Sequence, residues 1–421
     1  MTSVLEAMPP SAAQALGADA LVLAAPRLSR CRCGRPIFFR NSRCLACGTP
    51  IGYLPGRPGA MLALERAEPT QAWRACGSHP ARAGLYWRCA NFESAAGCNW
   101  LVEGRADAPP ARPLCRSCGL NRVLPDTSSK QHRLWWRRIE VAKRRLVASL
   151  LGLGLPLRSK VDEDARRGLA FDLLHEDEQH PRVLTGYARG IVTVNIEEAD
   201  DAKRERVRAA LHQPFLTLLG HLRHEVGHYY RERLVMGSDW QAGFRTLFGD
   251  ERQPAPEATP QHAEQGHNGE WASRYVSAFA ALHPTVDWAE TFAHYVHMID
   301  TMATASSLGI DAEFVELRYE PFTESSLYRN EDGEEAHAFL AFVNDWMELT
   351  GVLNELSRSM GWRDFYPFVL STDALRKLHF VHLVVAEAAR TEAPYQRTSP
   401  IGGGITGGSR TGTGLSIGDG S

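Results

Sequence analysis

Nine cysteines, all within the first 118 residues, constrain the fold of this 421-residue chain more than any other feature. Two pairs lie in C-x-x-C-G turns, which are Cys44-Leu-Ala-Cys47-Gly48 and Cys115-Arg-Ser-Cys118-Gly119. Such a turn points two thiolates at one tetrahedral zinc ion, and its glycine permits tight backbone curvature. The clustering therefore predicts local zinc sites in the N-terminal part of the chain, and not disulfides spread along it.

The cysteine spacing groups eight of the nine into two four-thiolate sites. We expect the first structural zinc to be bound by Cys31, Cys33, Cys44 and Cys47, and the second by Cys89, Cys98, Cys115 and Cys118. Cys76 is left over, and Cys31-Arg-Cys33 is one residue shorter than a usual C-x-x-C turn. An interleaved pairing stays open, because sequence does not fix connectivity. Closed sites of this kind stabilise folding and leave no position for catalysis.

The net charge of -2 conceals two halves of opposite sign. Residues 1–160 carry 24 Lys+Arg and 9 Asp+Glu, a balance of +15, so residues 161–421 carry 23 and 40, a balance of -17. The halves can attract each other, or the basic half can attract an outside partner such as nucleic acid. Aromatic side chains lie among the basic ones, as in Phe38-Phe39-Arg40 and Trp135-Trp136-Arg137. Residues 27–160 are therefore a candidate nucleic-acid surface, unless the tryptophans pack their helix onto the rest of the protein.

Apolar periodicity and turn residues divide the chain into five parts. These are a leader (1–26), a zinc-ribbon region (27–125), a basic connecting helix (126–160), a mainly α-helical domain (161–398) and a Gly-rich tail (399–421). Two β-rich runs, 168–174 and 190–196, predict a small sheet in the helical domain, so the fold class is α+β. Helices are predicted at 131–153, from about 214 to 235, and at 239–248, 287–307, 334–359 and 372–390.

The stretch His224-Glu225-Val226-Gly227-His228 has the H-E-x-x-H pattern of a zinc-binding helix. Residues four apart on a helix share one face, so His224 and His228 can hold one metal ion. Glu225 lies beside the first ligand, in the position of a general base for a zinc-activated water. Gly227 would allow close approach of a neighbouring backbone.

A catalytic zinc needs a third protein ligand and one open position. Arg231 and Leu234 exclude the metzincin pattern, which requires Gly and His there. We predict Glu290 as the third ligand, and His294 as a catalytic-site group that orients a ligand imidazole or meets a substrate oxygen. Asp287 and Glu290 also have capping-box spacing, so Glu290 can instead cap its own helix. Other candidates are His262, His267 and His294 as ligands, Tyr229 or Tyr230 as oxyanion or core residues, and His221 and His297 as solvated or structural residues.

Several separated motifs, in order along residues 27–310, resemble a bacterial family of zinc-binding metallopeptidases that carry an N-terminal zinc ribbon. They are the Cys-x-Cys-Gly-Arg-Pro-Ile-Phe-Phe-Arg-Asn-Ser-x-Cys-x-x-Cys-Gly segment, a later Cys-Asn-Trp-Leu-Val with Cys-x-x-Cys, the stretch 218–230, and Asp287-Trp-Ala-Glu-Thr-x-Ala-His. The resemblance implies a zincin-like domain with His224, Glu225 and His228 as its motif residues. The resemblance supports the predicted fold and site residues more than it identifies a substrate.

These features together predict a zinc-dependent metallopeptidase with about three zinc ions per chain, one catalytic and two structural. The alternatives are a protease recruited to nucleic acid through its basic half, and a non-catalytic zinc scaffold. We expect a protein or peptide substrate and no membrane partner, because no apolar run approaches the roughly 20 residues that span a bilayer. The N-terminal stretch lacks the basic-then-apolar order of a signal peptide, so the expected location is the cytoplasm.

Overall fold

The computed structural model describes residues 28–55, 61–77, 84–105, 110–111, 113–177, 182–210, 217–254, 270–310, 315, 317, 319–327 and 334–398. The predicted leader and Gly-rich tail, and the alternative ligands His262 and His267, lie outside these ranges. The described chain has an α+β fold, as predicted. A β-rich zinc-ribbon part comes first, and a mainly helical domain with a small sheet follows.

The strands of the described ranges form three sheets. They are β1 (Leu28–Arg30), β2 (Pro36–Phe38), β3 (Ile51–Tyr53), β4 (Met61–Arg66), β5 (Trp73–Ala75), β6 (Leu85–Arg88), β7 (Leu101–Gly104), β8 (Asn121–Val123), β9 (Ala170–Leu174), β10 (Gly186–Ala188) and β11 (Ile191–Asn195). β1 and β2 form an antiparallel hairpin, and β3 to β7 form an antiparallel meander in chain order. The third sheet has the order β10-β11-β9-β8, in which β9 is parallel to both neighbours.

Strand β8 connects the two parts of the chain. It follows the second C-x-x-C turn directly, yet it pairs with β9 of the helical domain. Arg122 of β8 donates from its Nε to the Oδ1 of Asp172 on β9 at 2.8 Å, and its Nη2 contacts the other carboxylate oxygen. The zinc-ribbon part therefore ends inside the sheet of the domain that follows it.

The described ranges contain eight α-helices, six of which correspond to the predicted segments. They are α1 (Lys130–Gly152), α2 (Asp201–Ala210), α3 (Leu218–Tyr230), α4 (Trp240–Phe248), α5 (Pro284–Ser307), α6 (Glu324–Leu327), α7 (Glu334–Ser359) and α8 (Thr372–Thr398). A π-helical turn, Arg231–Val235, continues α3. No helix of the described ranges is long and apolar enough to cross a membrane.

Helix α1 packs against both parts of the molecule. Ser129 caps it by accepting a hydrogen bond from the backbone N–H of Gln131 at 3.1 Å, as serine does at helix starts. Trp136 is buried, and the partly buried Trp135 stacks near the ring of His175 in the next domain. Arg138 donates to the carbonyl oxygen of Ala199 at 2.7 Å. Trp135 thus packs the helix against the downstream domain, which is one of the two alternatives expected.

Helices α3 and α5 approach each other closely at Gly227, as the sequence predicted. A Cβ atom there would lie 3.0 Å from both the Cα and the carbonyl oxygen of Ala289. The indole N–H of Trp288 donates to the carbonyl oxygen of Gly227 at 2.9 Å. Asp300 of α5 also accepts hydrogen bonds from Arg223 of α3 at 2.8 Å and from Arg145 of α1 at 2.9 Å. These contacts fix α3, which carries the H-E-x-x-H motif, between two other helices.

Candidate metal centres

The first predicted group of cysteines converges at the end of the β1-β2 hairpin. The sulfur atoms of all four lie within 4.8 Å of one another. Cys31 and Cys47 are 3.6 Å apart, and Cys33 and Cys44 are 3.8 Å apart. Two thiolates of a tetrahedral zinc site with Zn–S bonds of about 2.3 Å are separated by about 3.8 Å. The four cysteines therefore fit a zinc ion, including Cys31 with its short spacing.

The C-x-x-C-G turn of this site has the geometry that its sequence predicts. Gly48 adopts a φ of 72°, a left-handed conformation that favours glycine, and its N–H donates to the carbonyl oxygen of Cys44 at 2.9 Å. The hydroxyl of Thr49 lies 3.1 Å from the sulfur of Cys47. Hydrogen bonds from the Thr49 side chain and backbone lower the pKa of the Cys47 thiol to about 6, which favours the thiolate that binds zinc.

The second predicted group is fully buried. The sulfur atoms of its four cysteines also lie within 4.8 Å of one another, and Cys98 and Cys115 are 3.6 Å apart. The backbone N–H of Cys118 points at the sulfur of Cys115 at 3.4 Å, and that of Cys115 points at Cys89 at 3.5 Å. Donors of this kind stabilise thiolates. Cys76 belongs to neither cluster, and burial raises the pKa of its thiol.

His224 and His228 come together on α3. Thr217 caps this helix by accepting a hydrogen bond from the N–H of Gly220 at 2.9 Å. The Nε2 atoms of the two histidines are 3.2 Å apart. Two imidazole ligands of a tetrahedral zinc with Zn–N bonds of about 2.0–2.1 Å are separated by about 3.3 Å, so the pair fits a metal ion. Burial, together with the neighbouring His224, lowers the pKa of His228 to about 3, which keeps its ring neutral.

Glu290 of α5 contacts the ring of His224 at Nδ1, the nitrogen that does not face His228. Its Oε1 lies 2.6 Å from the Nδ1 of His224, and its Oε2 accepts a hydrogen bond from the Ser277 hydroxyl at 2.8 Å. Burial would raise the pKa of Glu290, but the contact with His224 outweighs it and holds the pKa at about 2. In this position the carboxylate orients the His224 ring. A direct third ligand would place its oxygen next to the Nε2 atoms of His224 and His228, whereas the Glu290 carboxylate lies at the Nδ1 of His224. The role of Glu290 as third ligand therefore stays a prediction.

The capping alternative for Glu290 is wrong. Helix α5 begins at Pro284, and its N-cap is His283, whose side chain accepts from the N–H of Thr285. Asp287 and Glu290 therefore lie inside the helix. Asp287 instead pairs with the buried Lys377 of α8 at 2.6 Å.

Glu225 is buried and contacts a histidine one turn earlier on α3. The Nε2 of His221 lies 3.2 Å from the Oε1 of Glu225, and its Nδ1 lies 2.8 Å from the Oε2 of Glu198. Burial raises the pKa of Glu225, but the hydrogen bond with His221 outweighs this and lowers the pKa below its usual value. Burial lowers the pKa of His221, yet the two carboxylates together raise it to about 10. His221 thus has a structural contact, one of the two roles expected for it.

The remaining sequence candidates contact other parts of the core. The Nδ1 of His294 lies 2.7 Å from the hydroxyl of Tyr366, a residue between α7 and α8 that sequence reasoning did not single out. The predicted catalytic role of His294 stays a prediction. The hydroxyls of the buried Tyr229 and Tyr230 donate to the carbonyl oxygens of Arg167 and Pro156. These tyrosines are therefore core residues.

His297 also has a structural contact. It is buried on α5, and its Nδ1 accepts from the guanidinium of Arg223 at 3.1 Å.

The fold and these sites define a protein with two four-cysteine clusters in its zinc-ribbon part and an H-E-x-x-H helix in the domain that follows. The profile of the family described as "Putative zinc-binding metallo-peptidase" matches residues 132–384, and that of a zinc-ribbon domain matches residues 28–129. The chain belongs to this metallopeptidase family.

Relatives with the same extent occur in mycobacteria. Proteins of two strains of Mycobacterium tuberculosis and one of Mycobacterium bovis, each described as uncharacterized, are 36% identical over 358 residues. The matches cover 85% of this chain and 94% of each relative. No solved structure matches the chain significantly.

Proposed function

We propose that this protein hydrolyses peptide bonds at a zinc site held by His224 and His228, with Glu225 as the general base. The observation that carries the proposal is the pair of Nε2 atoms, 3.2 Å apart on one face of α3. Membership of a zinc-binding metallopeptidase family supports the same reaction class. The two four-cysteine clusters and this pair together give about three zinc ions per chain.

The residues around the pair have separate tasks. A zinc ion held by His224 and His228 would supply a Lewis acid for the scissile carbonyl and would lower the pKa of a water molecule toward about 7. Glu225 accepts a proton from that water and then donates it to the leaving amine. Its buried carboxylate is ionised beside His221, so it is in the basic form that the first step requires.

Glu290 and His294 complete the proposed site from α5. Glu290 is held by Ser277 on one oxygen and contacts His224 with the other, which fixes the imidazole ring in its ligand orientation. We retain Glu290 as the candidate third ligand, which would require a rotation of its side chain toward the Nε2 atoms. His294 lies one turn further along α5 and is proposed to meet a substrate oxygen.

The test combines metal counting with peptide hydrolysis. His224→Ala is expected to lose one zinc ion per chain of the proposed three, while Glu225→Gln keeps all of them and loses hydrolysis of a quenched-fluorescence peptide library. Glu205→Gln, an exposed carboxylate of α2, is the matched control and should change neither readout.

Two outcomes decide against the proposal. If His224→Ala retains the full zinc content, the pair is not a metal site. If it loses one zinc but the unmodified protein cleaves no peptide in the library, the non-catalytic scaffold becomes the better account.

A further inference from the structure

A cavity of about 580 Å³ lies on the zinc-ribbon part, lined by residues next to both cysteine clusters. Arg43 directly precedes Cys44 of the first cluster, and Arg88 directly precedes Cys89 of the second. The lining also includes Arg66 of β4. Three aromatic side chains complete it, namely Trp73, Trp87 and Phe92. Zinc binding at the two clusters would therefore fix the backbone at Arg43 and at Arg88.

Two of the three arginines of this cavity are stacked on aromatic rings. The guanidinium of Arg66 lies 4.1 Å from the ring centre of Trp73. That of Arg88 lies 4.4 Å from Phe92 and 5.2 Å from Trp73. Stacking holds the flat guanidinium groups in place. The Nη1 of each already donates to a backbone carbonyl oxygen, that of Gln71 for Arg66 and that of Ile51 for Arg88. The remaining edge N–H groups are left for a ligand.

Arg88 retains unused hydrogen-bonding capacity. Its Nη1 donates to the carbonyl oxygen of Ile51 at 2.5 Å, but its buried Nε has no hydrogen-bond partner among the described residues. A buried donor without a partner costs free energy, on the order of 1–3 kcal/mol. A rotation of the guanidinium that brought this Nε against a ligand oxygen in the cavity would remove that cost.

The positive charge of the cavity is only partly offset by acidic residues. Three arginines line it, and Glu93 is the only acidic residue of the lining. The guanidinium groups of Arg43, Arg66 and Arg88 therefore repel one another across the lining. An anion between the guanidinium groups would relieve this repulsion.

We propose that this cavity binds single-stranded nucleic acid, with the arginines contacting phosphates and the aromatic rings contacting bases. The charge distribution favours a long polyanion. Residues 1–160 have a balance of +15, which two four-thiolate zinc sites reduce by about four units, whereas residues 161–421 have a balance of -17. A polyanion is therefore attracted to the ribbon half and repelled by the peptidase half.

Nucleic acid fits the lining better than an acidic peptide does. Both would supply negative charge, but only nucleic acid also supplies flat bases for the tryptophan, phenylalanine and guanidinium planes. The inference does not depend on peptide hydrolysis, because the cavity and the His224–His228 pair share no residue.

The test uses the zinc-loaded full-length chain and fluorescein-labelled single-stranded DNA and RNA of about 20 nucleotides. Anisotropy is measured from about 50 to 200 mM salt, because phosphate contacts depend on ionic strength. The double variant Arg43→Ala/Arg66→Ala should bind about tenfold or more weakly, and its salt slope should fall by about one per arginine. Arg35→Ala is the matched control, since Arg35 is an exposed arginine of the same module outside the lining.

A third variant separates stacking from charge. Arg66→Lys keeps the positive charge but loses the planar group on Trp73, so we expect weaker binding with a nearly unchanged salt slope. If the double variant loses zinc or circular-dichroism signal, Arg66→Lys still tests the role of the cavity, because it changes a single exposed side chain.

Three results would overturn the proposal. Equal weakening by Arg35→Ala and the double variant would mean diffuse attraction to a basic surface. Absence of binding at the lowest salt would remove nucleic acid altogether. Binding of polyglutamate as tight as that of the oligonucleotides would assign the cavity to acidic peptides instead.

Discussion

The imidazole of His221 lies against the carboxylate of Glu225, with Nε2 and Oε1 3.2 Å apart, one helical turn before the proposed zinc ligands. Glu198 holds the other nitrogen of the ring at 2.8 Å. A proposed general base is thus itself positioned by a histidine that a second carboxylate orients. This arrangement restricts the Glu225 side chain and keeps it ionised.

His221→Ala should lower kcat/KM for peptide hydrolysis by about 10–100-fold, because outer contacts orient the groups that act directly. The zinc content should stay unchanged, since His221 contacts Glu225 and not the Nε2 pair. Glu198→Gln should act in the same direction with a smaller effect. Unchanged kinetics in both variants would mean that Glu225 needs no such positioning.

Glu290→Ala should weaken zinc binding at the His224–His228 site by about 10–100-fold, whether the carboxylate orients His224 or binds the metal directly. Chelator competition followed by metal counting measures this, and the two cysteine clusters should retain their zinc.

Ser277→Ala separates the two roles of Glu290. It removes the hydrogen bond at 2.8 Å that holds the carboxylate behind His224. Weaker zinc binding would indicate an orienting role, whereas tighter binding would indicate a carboxylate released to act as a ligand.

Local spacing in the sequence was sufficient to predict the two cysteine clusters and the approach of His224 to His228. The turn Cys44 to Gly48 needs only neighbouring residues to take its shape, and His224 and His228 share a face on any helix. The helix bounds followed from apolar periodicity and turn residues for the same reason.

Contacts between distant segments could not be predicted in this way. Glu198 meets His221, and Tyr366 meets His294, only because helices and loops far apart in sequence pack together. No spacing rule connects such pairs. The capping alternative was wrong because α5 begins at Pro284, so Asp287 lies inside the helix and pairs with the distant Lys377.

Gly227→Ala should destabilise the protein by about 1–3 kcal/mol, because its Cβ would meet the Ala289 backbone, which cannot yield as a flexible side chain does. Urea unfolding measures the loss. Gly186→Ala is the matched control, since a Cβ there meets nothing within 4 Å. Equal stability of both variants would show that α3 and α5 can separate without cost.

Cys47→Ser should release one structural zinc and leave the hydrolysis site loaded, because Cys47 belongs only to the first cluster. Metal counting on the purified variant gives the stoichiometry. Cys76→Ser is the control, because Cys76 lies in neither cluster and should keep the full zinc content. A loss of zinc in the Cys76 variant would contradict the assignment of the two sites.

Asp287→Ala should cost about 3–5 kcal/mol of unfolding free energy, because it leaves the ammonium group of Lys377 buried without its carboxylate. The side chains of the pair are only 5% and 1% exposed, so water replaces the lost partner poorly. Replacing both residues, as in Asp287→Leu/Lys377→Met, should cost less than the single change, since no unpaired charge remains. Urea unfolding of the single and double variants tests the difference. A double variant that is less stable than Asp287→Ala would contradict this expectation. It would show that the pair stabilises the contact between α5 and α8 by more than the neutralisation of the two charges.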